Sequence, residues 1–477
     1  MFPVAIYTLG CKLNQLESEA LAGAFRDAGF CLMPWGTLLE GPGIIVISTC
    51  TVTSKADQKC RRTIRKALRD NPEACVVVAG CYAELDAAEI ESLAAESAES
   101  GCGRATGGRR LFVVGGGGDG AGNAKSALLL LPGYLREAMS DSGAVGGGTL
   151  PAGNSLPQIL ETWERSGKPS GTFSFRPDSF TFHSRGYLKI QDGCNSACSY
   201  CRVRLARGPS VSLEREAVLE GLLAFEAAGC PELMITGANI SQYNHGGGLA
   251  GLLEYLLEGS RSIALRLSSL EPEGIDERLV RALAHPRIRP HFHLTVQSGS
   301  DDVLKKMGRV YNARKVEEGA ALLRGVKGDP FLACDIIAGF PGETEDDFAH
   351  TLELCETIGF AWIHAFPFSR RPGTAAWYFE GKVCEREVTR RVQALASLAL
   401  RGRRAYAQNC LGKELSAVVE KGKAGHGQCR AVSENYLKLI VNCPGAEPAP
   451  GTVLRCVPVT LCDNVNGESP DAVAEMK

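Results

Sequence analysis

Short apolar runs alternate with amphipathic stretches along the first part of the chain. The runs predict strands over residues 3–9, 43–48 and 74–79, and helical periodicity predicts helices over 14–28 and 55–68. Strand and helix in regular alternation favour a parallel sheet with crossover helices. The pattern therefore predicts an α/β fold that begins with a doubly wound parallel-sheet domain over residues 1–175.

Two local features refine this domain. Asn14, with Glu17 three residues later, has the pattern of a capping box and is expected to begin the first helix. After a further short strand at 111–114, glycine runs at 115–118 and 146–148 indicate a flexible insertion over residues 96–175. We expect that insertion to be a surface loop without chemistry.

The alternation resumes at Gly186, with six more strands. Six strand–helix steps predict a central partial (β/α)6 barrel over residues 180–405, whose functional residues should gather at the C-terminal ends of the strands. Shorter strands at 415–419, 437–441 and 453–459 predict a small C-terminal all-β barrel over 408–462, followed by a disordered tail. The six barrel strands are expected at 186–191, 232–236, 264–267, 293–296, 331–337 and 362–366.

Composition narrows the class of protein. Of 477 residues, 44% are apolar and 22% charged, which is ordinary for a soluble protein, and the net charge of -2 neither supports nor excludes a nucleic-acid partner. Nineteen cysteines, an odd number spread over a long chain, exclude a complete set of disulfides. The start lacks the pattern of a signal peptide, and no apolar run spans a bilayer. We expect a cytoplasmic protein with no membrane partner.

A C-x3-C-x2-C motif follows the first barrel strand and carries the strongest chemical signal. Cys194, Cys198 and Cys201 lie on one short loop. Three thiolates can hold three irons of a [4Fe-4S] cluster and leave the fourth iron open. That iron can chelate S-adenosylmethionine (SAM) and deliver an electron to it. A zinc site is the alternative, although zinc usually takes four ligands, and a thioredoxin-type motif would not need Cys194.

Polar and glycine residues follow several barrel strands, where a bound SAM would lie. Tyr200, inside the cysteine loop, is a candidate for contact with the adenine ring. Each of the others, taken singly, is also compatible with ordinary turn chemistry. The remaining candidates for SAM binding are Thr236, Gly237, Ser269, Gln297 and Asp335.

A second group of cysteines is suggested by topology. Cys11, Cys50 and Cys81 each follow a predicted parallel strand of the first domain. Since the C-terminal ends of parallel strands share one edge of a sheet, the three thiols can converge and bind a second metal centre. Three incidental buried cysteines are the alternative, because free cysteine is often buried.

With these residues in hand, the chain resembles the radical SAM methylthiotransferases over most of its length. The resemblance implies that Cys11, Cys50 and Cys81 hold a second [4Fe-4S] cluster, that SAM is the cofactor and methyl donor, and that an unidentified electron donor reduces the enzyme. It also implies that the C-terminal module is an RNA-binding TRAM-like barrel and that tRNA is the partner. The motifs that carry it are Thr8–Glu19, Ser48–Thr53, Gly80–Glu84 and Leu188–Cys194.

Within the family, the opening motif is most similar to the branch that adds a methylthio group to C2 of N6-threonylcarbamoyladenosine beside the anticodon. Modification of isopentenyladenosine in tRNA, modification of a ribosomal protein, and a non-catalytic iron–sulfur electron carrier are the alternatives. Two features depart from the family: Arg202-Val203-Arg204-Leu205 replaces a proline-containing stretch before Ala206-Arg207-Gly208, and the glycine-rich insertion is long.

Overall fold

The computed structural model describes residues 2–34, 36, 43–99, 109–116, 124–140, 155–166, 171–177, 180–463 and 467–477. These residues form two compact units. The first contains Met1–Thr181, Asp192–Asn195 and Cys201–Val211, and the second contains Phe182–Gln191, Ser196–Tyr200 and Ser212–Lys477. Within the described ranges, no helix is both long enough and apolar enough to cross a bilayer.

The first unit is built on a five-stranded parallel sheet of order β2-β1-β3-β4-β5. Strand β4 is buried at every position, because helices cover both faces of the sheet. This sheet confirms the predicted doubly wound architecture. The strands are β1 (Pro3–Thr8), β2 (Cys31–Met33), β3 (Ile44–Thr49), β4 (Cys75–Gly80) and β5 (Leu111–Val114), and the helices are α1 (Lys12–Asp27), α2 (Ser54–Asp70), α3 (Cys81–Leu85), α4 (Ala87–Glu99), α5 (Leu131–Ser140) and α6 (Leu156–Ser166).

The first helix begins earlier than the sequence predicts. It starts at Lys12 with Cys11 at the N-cap, so the expectation that Asn14 caps the helix is wrong. Asn14 is fully buried, and its amide donates to the carbonyl oxygens of Leu9 (2.8 Å) and Thr49 (2.9 Å). The short polar side chain therefore joins the ends of β1 and β3 instead of capping a helix.

The inserted region is also more ordered than predicted. Residues 124–129 form a 3-10 helix, and α5 and α6 follow it. Leu131, Leu160 and Trp163 are buried in the same hydrophobic cluster as Phe25 of α1 and Phe112 of β5. These parts of the insertion are therefore core elements, because their apolar faces cover one side of the sheet. Residues 117–123 and 141–154, which hold most of the glycine runs, lie outside the described residues.

The second unit contains a curved parallel half barrel. Its strands form two three-stranded sheets, β10-β9-β6 and β11-β12-β13, joined by a parallel bridge between Leu270 and Leu294. This arrangement confirms the partial (β/α)6 barrel. The strands are β6 (Gly186–Lys189), β9 (Glu232–Thr236), β10 (Ala264–Leu267), β11 (His291–Gln297), β12 (Phe331–Ala338) and β13 (Trp362–Pro367), and β7 (Gln191–Asp192) and β8 (Val211–Ser212) are two short strands between them.

Helices follow the strands of the half barrel and cover its outer face. Helix α13 starts with a complete capping box between Thr344 and Asp347. These helices are α8 (Arg215–Ala227), α9 (Gly248–Gly259), α10 (Glu277–Leu283), α11 (Asp301–Met307), α12 (Ala313–Val326), α13 (Glu345–Ile358) and α14 (Glu385–Asn409). Helix α7 (Val203–Arg207) belongs to the first unit.

The last five strands close into a small barrel of order β14-β15-β16-β18-β17, as predicted for an all-β module. The expectation of a disordered tail is wrong. β18 pairs with both β16 and β17, because Ala472 and Ala474 are small enough to be fully buried between them. The strands are β14 (Leu415–Val419), β15 (Gln428–Ser433), β16 (Lys438–Asn442), β17 (Val453–Leu461) and β18 (Ala472–Met476).

Candidate active site

Cys11, Cys50 and Cys81 follow three adjacent strands of the first unit. The register pairs Thr8 with Ser48 and Thr49 with Gly80, so the strands end at the same level. The three loops therefore leave one edge of the sheet together, as the topology predicts.

Two glycines allow these loops to approach closely. Gly10 has a φ of +114°, and a Cβ atom there would lie 2.7 Å from Cβ and 3.1 Å from Sγ of Cys50. Gly80 has a φ of +103°, and its Cβ atom would lie 2.5 Å from the carbonyl oxygen of Thr49. Any larger residue would push the loops apart, so both positions require glycine.

The three thiols suit a shared metal centre. Burial raises the pKa of Cys50 to about 12, and the neighbouring thiols of Cys11 and Cys81 add to the rise. All three are free cysteines, of which Cys11 is exposed and Cys81 half-buried. The Cys50 thiol is therefore unfavourable as a thiolate, and a bound cation or iron–sulfur cluster would remove that cost. The residues present therefore fit a cluster.

A buried ion-pair network lies beside these loops, within the first unit. The guanidinium of Arg207 donates to Asp192 (3.0 Å), to Glu17 (3.1 Å) and to the side-chain oxygen of Asn14 (3.0 Å). Lys125 also donates to Glu17 (2.6 Å). Burial opposes the charge on Arg207, but Asp192 and Glu17 outweigh it and raise the pKa of Arg207 well above its usual value. Sequence reasoning missed this network, although Arg207 lies in the Ala-Arg-Gly stretch that the family shares.

Arg202, one of the departures from the family, has a defined place in the first unit. Its two terminal nitrogens donate to the two carboxylate oxygens of Asp86 (2.8 and 3.2 Å), and one of them also donates to the Thr51 hydroxyl (3.1 Å). Thr51 follows Cys50, and Asp86 follows the short helix that begins at Cys81. Arg202 therefore joins the loops of two cysteines to its own neighbour, Cys201.

The segment Ser196–Tyr200 belongs to the second unit and is held there from several sides. The backbone N–H of Ser199 donates to the carbonyl of Met307 (2.9 Å), and the N–H of Ala376 donates to the carbonyl of Ser199 (2.7 Å). The Gln242 amide donates to the Ser196 hydroxyl (2.9 Å). Tyr200 packs edge-on against Phe340, with ring centroids 6.3 Å apart. These contacts fix the segment Ser196–Tyr200, which contains Cys198, within the second unit.

Arg309 contacts this segment directly. Its Nη1 atom donates to Sγ of Cys198 at 3.1 Å, and its Nη2 atom pairs with Glu271. The Thr295 hydroxyl donates to the same carboxylate oxygen of Glu271 (2.5 Å). A cation beside Cys198 favours the thiolate that a cluster requires, so this position also fits a cluster ligand.

The residues proposed from sequence for SAM lie on the half barrel. Thr236 is buried at the end of β9, and a Cβ atom on Gly237 would lie 2.8 Å from Oε1 of Gln191. Gln297 ends β11 with a φ of +67°, a strained backbone of the kind found at functional sites. Ser269 and Asp335 lie deeper, where they contact or adjoin His293.

Three residues of the small C-terminal barrel contact the half barrel. Glu420 pairs with Arg185 (2.9 Å) and Glu434 with Arg289 (3.4 Å). The ring of Tyr436 stacks on His291, with centroids 4.1 Å apart. These residues attach the small barrel within the second unit. Arg403 forms a buried pair with Asp471, its Nη2 atom lying 2.8 Å from a carboxylate oxygen.

The half barrel with its C-x3-C-x2-C loop, preceded by a parallel-sheet domain and followed by a small closed barrel, defines a radical SAM enzyme. Residues 188–355 match the model of the Radical SAM superfamily, whose members bind a [4Fe-4S] cluster and SAM, and residues 3–99 match the model described as "Uncharacterized protein family UPF0004". Among curated proteins, the chain is 40% identical to the threonylcarbamoyladenosine tRNA methylthiotransferase MtaB of Treponema pallidum, over 95% of this chain and 98% of that protein. The chain belongs to the MtaB family of methylthiotransferases.

Two further relatives agree with this membership. The MtaB protein of Thermotoga maritima is 33% identical over 88% of this chain and 87% of its own length. A tRNA-2-methylthio-N(6)-dimethylallyladenosine synthase of Jannaschia is 28% identical over 92% of this chain and 88% of its own. The similarity therefore extends across branches that are named for different adenosine substituents.

Proposed function

We propose that this chain uses two [4Fe-4S] clusters and SAM to attach a methylthio group to C2 of N6-threonylcarbamoyladenosine beside the anticodon of tRNA. The observation that carries the proposal is the convergence of Cys11, Cys50 and Cys81 at one edge of the first sheet. A radical SAM enzyme that only abstracts hydrogen has no need of this second thiol group, whereas sulfur insertion needs a place to hold sulfur.

Two sets of residues would hold the clusters. Cys194, Cys198 and Cys201 would bind the first, and Cys11, Cys50 and Cys81 the second. When bound, the first cluster and SAM supply a radical able to take hydrogen from an unactivated carbon, and the second cluster presents the sulfur.

The chain's own residues orient these groups. Arg309 places a positive charge beside Sγ of Cys198, and Arg202 and Arg207 hold loops of the first unit through buried ion pairs. We place SAM along the strand ends marked by Tyr200, Thr236, Gly237 and Gln297. The rigidity of these contacts matters because a radical must be aimed at one atom of the base.

RNA recognition is assigned to the C-terminal barrel. Its Glu420, Glu434 and Tyr436 face the half barrel, so RNA must use other positions. Lys423 and Arg430 are exposed and suit contacts with phosphates. The single electron that SAM cleavage needs comes from an external donor.

Expression in a bacterial host tests the function. The host's tRNA should contain threonylcarbamoyladenosine without the methylthio group, and nucleosides from digested tRNA are separated and weighed by mass spectrometry. We expect 2-methylthio-threonylcarbamoyladenosine with the wild type and with Cys384→Ala, an exposed cysteine outside both sets. Cys198→Ala and Cys50→Ala should each abolish it. Product from Cys50→Ala would contradict the role of the second cluster, and methylthiolated ribosomal protein or isopentenyladenosine would contradict the substrate.

A further inference from the structure

A cluster of polar side chains lies on three adjacent strands of the half barrel, apart from the cysteine loops. The histidine–aspartate cluster consists of His293 on β11, Asp335 on β12 and His364 on β13, with Ser269 beside it. Nε2 of His293 lies 3.1 Å from Oδ1 of Asp335, and the imidazole centroids of the two histidines are 5.3 Å apart. One side-chain nitrogen or oxygen of each of the three strand residues lies within 4.8 Å of the others.

The cluster lies on the concave face of the half barrel. On β12, Cys334 and Ile336 flank Asp335 and are fully buried, and Cys334 interacts with Cys355 of helix α13. The helices therefore cover the face opposite to Asp335. His293 and Asp335 are half-buried and His364 is exposed, as expected for side chains that line an open lumen.

Along the strands of the half barrel, the histidine–aspartate cluster lies one layer of side chains below Arg309, the partner of Cys198. His291, two residues before His293, stacks on Tyr436, which closes the lower end. Thr295, two residues after His293, contacts Glu271 and Arg309, the partner of Cys198. Alternate residues of a strand point the same way and are about 6.6 Å apart, so the histidine level lies about that far below the Arg309 level.

A hydrogen bond fixes the proton position on His364. Nε1 of Trp362 lies 3.2 Å from Nδ1 of His364, and an indole N–H can only donate. Nδ1 of a neutral His364 therefore accepts, and its Nε2 atom carries a proton. Nε2 of His293 lies 3.1 Å from Oδ1 of Asp335, and its Nδ1 atom lies 3.3 Å from the Ser269 hydroxyl. An imidazole in the state of His364 has an N–H and no lone pair at Nε2, so this histidine suits a hydrogen-bond acceptor of an organic ligand.

We propose that the histidine–aspartate cluster binds the threonylcarbamoyl substituent of the target adenosine and so determines substrate choice. This inference rests on the proposed function. The substituent carries urea N–H groups and a hydroxyl, which donate hydrogen bonds, and a carbonyl and a carboxylate, which accept them. Asp335 offers acceptors and His364 offers a donor. The proposal assigns Ser269 and Asp335 to the substrate, where the sequence assigned them to SAM.

The position agrees with the geometry of adenine. C2 and C6, which carries N6, flank N1 on one edge of the ring, and their outward bonds diverge, so a base whose C2 atom faces the level of Cys198 directs its substituent towards another part of the lumen. The histidine–aspartate cluster is the polar group that it would reach. An isopentenyl group has no donors or acceptors, so it could form no hydrogen bond with His364 or Asp335. Sites built for hydrogen bonds reject such analogues strongly.

Binding measurements with three RNAs test this inference. Anticodon stem-loops that carry threonylcarbamoyladenosine, isopentenyladenosine or plain adenosine at the target position are titrated anaerobically against reconstituted enzyme by fluorescence anisotropy. The variants are His364→Leu and Asp335→Asn, and the matched control is His350→Leu, an exposed histidine on helix α13. Iron content and thermal unfolding are measured for each protein to confirm that it is folded and loaded.

We expect the wild type and His350→Leu to prefer the threonylcarbamoyl RNA by about tenfold or more, and the two cluster variants to lose most of that preference. Cluster variants that keep the full preference would overturn the inference while leaving the proposed function intact. One equivalent of zinc bound by the wild type and lost in both variants would also overturn it. A wild type that neither prefers nor methylthiolates the threonylcarbamoyl RNA would contradict the proposed function itself.

Discussion

Nη1 of Arg309 lies 3.1 Å from Sγ of Cys198, in the middle of the C-x3-C-x2-C motif. Burial opposes the charge on Arg309, but Tyr311 and Glu271 outweigh it and raise the pKa of the guanidinium above its usual value. Arg309 therefore stays cationic at every accessible pH. Arg309 therefore places a permanent positive charge and a hydrogen bond at Sγ of Cys198, a proposed ligand of the first cluster. Both should influence how readily that cluster accepts an electron.

Replacing Arg309 should make the first cluster harder to reduce. In Arg309→Gln the donor to Cys198 is weakened and the positive charge is lost, so the reduced, more negative cluster is less stabilised. We expect the reduction potential to fall by tens of millivolts, roughly, as hydrogen bonds to cluster sulfur tune potentials. Glu271 already has a raised pKa because of its burial, and it should take up a proton when Arg309 is absent.

Redox titration followed by electron paramagnetic resonance measures this potential. A Cys11→Ala/Cys50→Ala/Cys81→Ala background leaves only the first cluster to observe. Arg314→Gln is the matched control, because Arg314 is an exposed arginine on α12 that pairs with Glu318. An unchanged potential in Arg309→Gln would show that the contact with Cys198 has only a structural role.

Arg202 should retain the second cluster. The change Arg202→Leu removes the bidentate pair with Asp86 and the bond to Thr51, so the loops of Cys50 and Cys81 lose their shared tie. We expect the second cluster to be lost to a chelator several-fold faster than in the wild type, while the first persists. Iron release is followed by absorbance. Arg204→Leu, at an exposed position of helix α7, which Arg202 immediately precedes, is the control, and equal rates in both variants would refute the role of Arg202.

The alternation of strands and helices was sufficient to predict the layout of both sheets, and the strand order was sufficient to predict that the loops of Cys11, Cys50 and Cys81 leave one edge of the first sheet. The ion pairs of Arg202 and Arg207 were not predictable, because their partners lie more than a hundred residues away in the chain or on separate loops. The role of Asn14 was not predictable from the sequence either. Its spacing to Glu17 fits a capping box, but tertiary contacts place both side chains in the interior.

Glu232 should make the stability of the second unit depend on acid. Its carboxylate is fully buried, yet Arg266, Arg185 and Arg289 outweigh the burial and lower its pKa from 4.5 to about 2. A lowered pKa stabilises the fold above the pKa of the unfolded chain. That stabilisation should be complete at neutral pH and should be lost as the pH falls from 4.5 towards 2.

The variant Glu232→Gln tests the interaction between Glu232 and its arginine partners. It leaves Arg266 buried without its anion, so we expect a loss of roughly 3 to 5 kcal/mol in the free energy of unfolding at neutral pH. The pH dependence of unfolding below 4.5 should also become flatter. Denaturant titrations from pH 2 to 7 give both quantities. Glu277→Gln, an exposed residue of α10, serves as the control, and a variant as stable as this control would contradict the account.

Replacing Tyr436 should affect the stability of the protein, whereas replacing the exposed cations of the small barrel should affect its affinity for tRNA. The ring of Tyr436 stacks on His291, and its centroid lies 5.2 Å from Cζ of Arg266. The variant Tyr436→Ala should therefore lower the free energy of unfolding by roughly 2 kcal/mol. It should leave the salt dependence of tRNA binding unchanged. Lys423→Ala/Arg430→Ala should leave stability unchanged and lower tRNA affinity several-fold, with a salt slope reduced by about two. Measuring the affinity for tRNA over a range of salt concentrations distinguishes the two variants. The reverse pattern would place the RNA on the face that we assign to packing.

The most direct test of the account follows the hydrogen atom at C2 of the target base. Anaerobically reconstituted enzyme is mixed with SAM, a reductant and tRNA that carries threonylcarbamoyladenosine with deuterium at C2, and the 5′-deoxyadenosine and digested nucleosides are analysed by mass spectrometry. The account predicts one deuterium in 5′-deoxyadenosine for each methylthio group found at C2, and neither product with Cys198→Ala. Methylthiolated adenosine without deuterium transfer, or 5′-deoxyadenosine without any methylthio product, would contradict it.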